Sequence, residues 1–165
     1  MTATIILGVD PGLNFCGWGI VASEGSRLSH IAHGVIKPPK QQQLASRLHD
    51  VFEGLCEVIE RYQPNEAAVE ETFVNSNARA ALILGQARGV ALAAAARRGL
   101  QVAEYAPSTI KKAIVGSGAA DKTQISFMVQ RLLPTAGPVT ADAADALGIA
   151  LCHAAHGGFR RRAGA

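Results

Sequence analysis

The feature that most restricts the fold of this chain is Thr4-Ile-Ile-Leu-Gly-Val-Asp10, an almost unbroken apolar run of strand length that ends on an acid and a Pro-Gly turn. Continuous rather than alternating hydrophobicity marks a strand covered on both faces. A central sheet strand with an acidic residue at its carboxyl end is therefore expected within the first ten residues. Runs at 17–23 and 28–36 follow, separated by Glu24-Gly25-Ser26. Links this short favour antiparallel hairpins, so the chain should open as a three-strand meander.

Between residues 42 and 62, Leu44, Leu48, Val51, Leu55, Val58 and Ile59 recur at threes and fours, and Pro64 follows. That spacing predicts an amphipathic helix. A strand over 67–71 comes next, and a helix between two strands is a crossover, so this fourth strand should lie parallel to one already formed, most simply the first. Further expectations are an Ala-rich helix over 77–98 closed by Gly99, a fifth strand over 101–105 and a helix opened by Pro107. A Gly-rich loop over 115–122 precedes helices over 123–133 and 141–156. Together these give an α/β domain over 1–156, a mixed five-stranded sheet (three antiparallel strands, two parallel) with helices on both faces, and a flexible basic tail over 157–165.

The chain has 165 residues, 48% of them hydrophobic and 18% charged, enough for one domain with its own core. Cys16, Cys56 and Cys152 lack any CxxC spacing, so they read as reduced, semi-buried thiols rather than a disulfide or zinc framework. The apolar N-terminal run has no basic leader, and the stretch 80–96 is broken by Gln86 and Arg88. No signal peptide or membrane span is expected, and the cytoplasm is the default location. A formal charge of +3 is compatible with a nucleic-acid partner without requiring one.

The acids carry more information. Asp10, Glu70, Glu71, Asp142 and Asp145 stand among apolar or small residues, where a charge is costly unless paired or bound to a cation. Asp142 and Asp145 share one helical face, and the alanines around them let that helix approach the sheet. If it packs beside the first strand, four carboxylates converge. Their hard oxygens suit Mg²⁺ or Mn²⁺, and two such ions can drive phosphodiester cleavage. The plainer readings are that Asp10 is a turn residue and that Asp142 caps a helix after Thr140. Alternation in a strand lets only one of Glu70 and Glu71 face the site, and favours Glu70.

Six blocks in order, Ile6-Leu-Gly-Val-Asp-Pro-Gly12, Val69-Glu-Glu-Thr-Phe73, Leu84-Gly-Gln-Ala-Arg-Gly-Val90, Glu104-Tyr-Ala106, Val115-Gly-Ser-Gly118 with Lys122, and Ala141-Asp-Ala-Ala-Asp-Ala-Leu147, resemble the RuvC family of Holliday junction resolvases. The resemblance implies a ribonuclease H-like fold, a homodimer, and Mg²⁺-dependent paired nicking of four-way junction DNA in recombination and repair. It implies as partners the RuvA and RuvB branch-migration proteins. Carried onto this chain, the catalytic and metal-binding tetrad is Asp10, Glu70, Asp142 and Asp145. Glu71 stands where the family often has a non-acidic residue, which leaves the choice between Glu70 and Glu71 open. Phe73 matches an aromatic position that contacts DNA, and Lys111 and Lys122 match basic positions that assist DNA binding or catalysis.

Among the remaining basic residues, Arg79, Arg88, Lys112 and the run Arg160, Arg161, Arg162 are candidate phosphate contacts. Gly85 and Gly89 let a backbone approach their helix, most simply the protein's own core, with a second subunit as the alternative. His153 and His156 lack a third zinc ligand and read as a satisfied or surface pair. Competing functions are a junction-binding module without catalysis, a related nuclease acting on structured RNA, and an ATPase of the actin and sugar-kinase type. The last needs two such domains.

Overall fold

The computed structural model describes residues 2–71 and 76–159. Strands β1 (Thr4–Asp10), β2 (Cys16–Glu24) and β3 (Arg27–Ile36) form the expected meander. Helix α1 (Leu44–Tyr62) then crosses to β4 (Glu66–Glu70), which lies parallel to β1 with Val9 beside Val69. Helix α2 (Ala78–Arg97) crosses to β5 (Gln101–Tyr105), parallel to β4. The sheet order is β3-β2-β1-β4-β5. Helices α3 (Pro107–Val115), α4 (Lys122–Leu132) and α5 (Ala141–Ala155) complete the chain, with a single 3₁₀ turn at Pro134–Ala136.

Strand β4 starts and ends one residue earlier than the sequence pattern indicates. Glu66 is the cause, because burial of its carboxylate against His153 draws a charged residue into the strand. His153 is wholly buried, its Nε2 2.7 Å from Glu66 Oε2 and its Nδ1 2.7 Å from the Tyr105 hydroxyl. It is thus a satisfied core histidine and not part of a surface pair. The three cysteines are fully buried rather than semi-buried. Gly158 is buried, and a Cβ there would come within 2.7 Å of Glu66 Oε2. Phe159 meets the His153 ring edge-on at 5.0 Å, so the first residues of the segment read as a tail pack on the domain.

Two cores sit on the two faces of the sheet. One joins Leu7, Val9 and Val69 to Val51 and Leu55 of α1 and Ala91 and Ala95 of α2. The other joins Ile6, Val21 and Ala68 to Ile110, Val129, Leu147 and Ile149 on α3, α4 and α5. Each large side chain removed from water here stabilises the fold by about 1.5–3 kcal/mol. On α2 it is Ala87, Ala91, Ala94 and Ala95 that face the core, whereas a Cβ on Gly85 or Gly89 would meet nothing within 4 Å among the described residues. The own-core reading of those two glycines is therefore corrected. Among the described residues no helix is long and apolar enough to cross a membrane.

Helix α5 lies on the sheet at backbone distance. A Cβ on Gly8 of β1 would strike the carbonyl oxygen of Ala146 and stand 2.8 Å from the Ala150 nitrogen. One on Gly17 of β2 would strike the carbonyl of Asp142, and one on Gly19 would stand 2.6 Å from a Leu147 methyl. Neither helix backbone nor central strand can yield. We expect Gly8→Val to cost about 3 kcal/mol through overpacking, read as a lower urea midpoint; wild-type stability in that variant would show that α5 is free to lift.

Candidate active site

Helix and strands deliver Asp10, Glu70 and Asp145 to one pocket, while Asp142 lies outside its lining and acts on Asp10 through its charge. Asp10 ends β1 and pairs with Gly17 of β2. On its other side the parallel register Val9 to Val69 makes Glu70 the next residue alongside it. The Asp10 and Glu70 carboxyls share a hydrogen bond. Thr140 caps α5 by accepting from the Ala143 amide at 3.3 Å, so capping is done by Thr140 and Asp142 is left free in the first turn. Asp145 follows one turn later.

A pocket of about 260 Å³ is lined by Asp10, Glu70, Asp145 and Lys122, with Ile110, Ile125 and Ile149 as its apolar wall. Glu71 is not in that lining; its amide donates to the Tyr105 carbonyl at 2.8 Å and continues the β4–β5 pairing. Geometry therefore selects Glu70 as the acid that faces Asp10. Lys122 Nζ lies 3.9 Å from Asp145 Oδ2 on a largely exposed side chain. The Asp121 cap, in a full capping box with Gln124, fixes the helix start from which Lys122 extends.

Crowding leaves an electrostatic signature. The Asp10 carboxyl is pushed up from 3.8 to about 8, first by burial, then by the charges of Glu70, Asp145 and Asp142 and the hydrogen bond to Glu70. Glu70 is raised by burial and by Asp145, against the opposing pull of the Asp10 hydrogen bond, Lys111 and Lys122. Asp145 is raised by burial, opposed chiefly by Lys122. The Cys16 thiol nearby is pushed up to about 12 by burial, with Asp10 and Asp142 adding to it, so it is an inert thiol.

These are hard oxygen donors held at mutual repulsion, a donor set suited to divalent magnesium or manganese. Among the described residues no three acidic, His or Cys groups are drawn together around one ion-sized point. The fit rests on the kind of donor and on the unbalanced charge.

Arg88 departs from its reading as a phosphate contact. It pairs with Glu104 of β5, and its Nε donates to the Glu70 carbonyl at 3.3 Å. It thereby ties α2 to the strand end that presents Glu70. Arg79 is exposed on the first turn of α2 and has no ion-pair partner among the described residues. Lys111 is half-buried on α3 and close enough to act on Glu70 and Asp145. Phe73 and the three tail arginines lie outside the described residues.

A mixed sheet of this order, with acids at the ends of two adjacent parallel strands and on a helix laid across them, defines a nuclease of the ribonuclease H-like class. More narrowly, the profile of the crossover junction endodeoxyribonuclease RuvC family matches residues 6–153, and this chain belongs to that family. It is 61% identical to the RuvC endonuclease of Caulobacter sp. strain K31 over 90% of this chain and 88% of the relative. Identity to the Hyphomonas neptunium protein is 54%, covering 97% and 96%. The structure of Thermus thermophilus RuvC in complex with a Holliday junction substrate superposes with a TM-score of 0.87 at 33% identity, covering 95% of this chain and 96% of that one. A yeast mitochondrial Holliday junction resolvase, at 13% identity and a TM-score of 0.63, shares the fold.

Because the folded state holds the Asp10 proton more tightly than the unfolded chain does, metal-free protein loses stability as pH rises from about 4 through 8. Asp10→Asn should therefore raise the melting temperature, and by more at pH 8 than at pH 5. A gain independent of pH would show that the carboxyl takes up no proton on folding.

Proposed function

We propose that this chain resolves four-way DNA junctions by paired, symmetric nicks, as a crossover junction endodeoxyribonuclease working in recombination and repair. The observation that carries the reading is the pocket in which Asp10, Glu70, Asp145 and Lys122 meet at the sheet end, in a chain of this family.

Asp10, Glu70, Asp142 and Asp145 hold the metal, two ions of Mg²⁺ or Mn²⁺, whose four positive charges balance four carboxylates. Bound there, the metal supplies Lewis acidity at the phosphate and a water poised to attack. To hold a cation, Asp10 and Glu70 would release to solvent the proton that burial and crowding favour. Lys122, long and exposed beside Asp145, reaches the scissile phosphate and offsets its charge. Lys111 lowers the cost of charging Glu70 and Asp145 from behind. The isoleucine wall keeps bulk water from the attacked face. Phe73 stacks on an exposed base at the crossover, and Arg79 contacts the backbone.

One chain carries one acidic cluster, and a junction has two equivalent strands to cut, so the working unit is a homodimer. The α2 face with Gly85, Gly89 and the exposed Leu82 is available for that contact. The enzyme acts in the cytoplasm beside the branch-migration proteins RuvA and RuvB, through a domain over 1–156 with the basic segment after it.

Replacing Asp10, Asp142 or Asp145 by Asn, or Glu70 by Gln, should lower nicking of an end-labelled junction about a thousandfold or more and leave junction binding intact. Glu71→Gln should stay active; the opposite result would shift the strand register by one. Lys122→Ala and Lys111→Ala should each lose about tenfold or more in rate, while Arg161→Ala loses little. Differentially tagged heterodimers of wild-type and Asp10→Asn chains should leave one nick per encounter in a cruciform plasmid, seen as relaxed circles. Linear product at the wild-type rate would show that one site cuts both strands.

A further inference from the structure

The sheet end that carries the carboxylates carries a second surface on its β3 side. Residues 11–15 make the turn from β1 into β2, and the turn needs Gly12, where a Cβ would strike the Phe15 carbonyl. Arg47, in the first turns of α1, braces it by donating to the Leu13 carbonyl at 3.2 Å and to Asn14 Oδ1 at 2.8 Å. Phe15 is thus held by a fixed backbone, yet it remains 46% exposed. Lys37, the first residue after β3, places its Nζ 5.5 Å from the centre of the Phe15 ring. Buried Pro38 fixes the chain just beyond it, and Lys40 is exposed further along. Among the described residues neither lysine has a carboxylate within ion-pair distance.

Register fixes where this surface lies. Asp10 pairs with Gly17, Gly17 with Val35, and Cys16 with Ile36, so Phe15 and Lys37 stand just past the row that contains Asp10. Strand spacing puts them on the order of 10 Å from Asp10, at most about three nucleotides along one DNA strand. Lys122 enters the pocket from α4 and Lys111 acts on its acids from α3, two helices that pack on α5 rather than on the turn that carries Phe15. A held, exposed aromatic with an unpaired ammonium over it offers a stacking face and a phosphate contact together.

We propose that Phe15 and Lys37 form a second nucleic-acid contact, gripping the sugar-phosphate backbone and a neighbouring base or sugar within about three nucleotides of the cut. The proposal rests on the functional reading above and adds the side on which the strand leaves the pocket. It makes the site a channel crossing the sheet end from Lys122 past Asp10 to Lys37.

Binding of a fluorescent four-way junction without divalent metal separates grip from chemistry. Lys37→Ala should weaken binding several-fold and reduce the slope of log K against log salt by about one. Phe15→Ala should also weaken it, and Phe15→Trp should restore it. Single-turnover nicking at saturating protein should stay within about twofold of wild type in all three. Arg98→Ala, which removes an exposed ion pair with Glu60 at the other end of the molecule, is the control and should leave binding unchanged. Wild-type affinity and salt slope in Lys37→Ala and Phe15→Ala, or an equal loss in Arg98→Ala, overturns the second contact while wild-type nicking upholds the functional reading. Failure of the wild-type chain to nick the junction overturns both.

Discussion

Close contact between the α5 backbone and the glycines of β1 and β2 is the constraint on which the rest of this molecule depends. Any other residue at Gly8 or Gly17 would put a side chain where the α5 backbone lies, and Asp142 and Asp145 could not be held this close to the sheet. Small residues on the helix answer them, with Ala143, Ala146 and Ala150 all buried. Asp145 on the helix can line one pocket with Asp10 and Glu70 at the strand ends only because that layer of side chains is missing. Chemistry here is set by what the sheet leaves out.

That closeness has a cost which the surroundings only partly offset. Burial and like charge raise Asp10, Glu70 and Asp145 together, and Lys111 and Lys122 oppose this at Glu70 and Asp145 without cancelling it. The apolar cores on both faces supply the stability that tolerates the repulsion. Arg88, bonded to the Glu70 carbonyl and paired with Glu104, keeps the strand end from relaxing away. Strain at the site and rigidity beneath it belong to one design.

Much of this was legible in the residues. The apolar run before Asp10, the crossover before β4 and the Asp142 and Asp145 spacing are local patterns with one period each, and each maps onto an element within a residue or two. Asp10 and Glu70 could be expected to meet because parallel pairing is itself a consequence of the crossover. What local pattern does not hold is a partner far along the chain. Glu66 falls outside the 67–71 pattern, and its buried bond to His153 joins residues 87 apart in sequence. Arg88 looked like a free cation for the same reason, since Glu104 and the Glu70 carbonyl reach it only after folding. Gly85 and Gly89 matched the pattern of a packed face, but the rotation of α2 about its axis, which turns Ala87 and Ala91 inward, is decided by tertiary packing.

The bonds from His153 to Glu66 and Tyr105 have a consequence for how α5 is seated. Van der Waals contact over glycine presses a helix down but is nearly indifferent to sliding along its own axis. Hydrogen bonds are not, and a slip of one residue would displace the ring by about 1.5 Å and break both of its bonds at once. Contact sets the height of the helix, and the buried imidazole sets its phase, like an indexing pin at the foot of a sliding bolt.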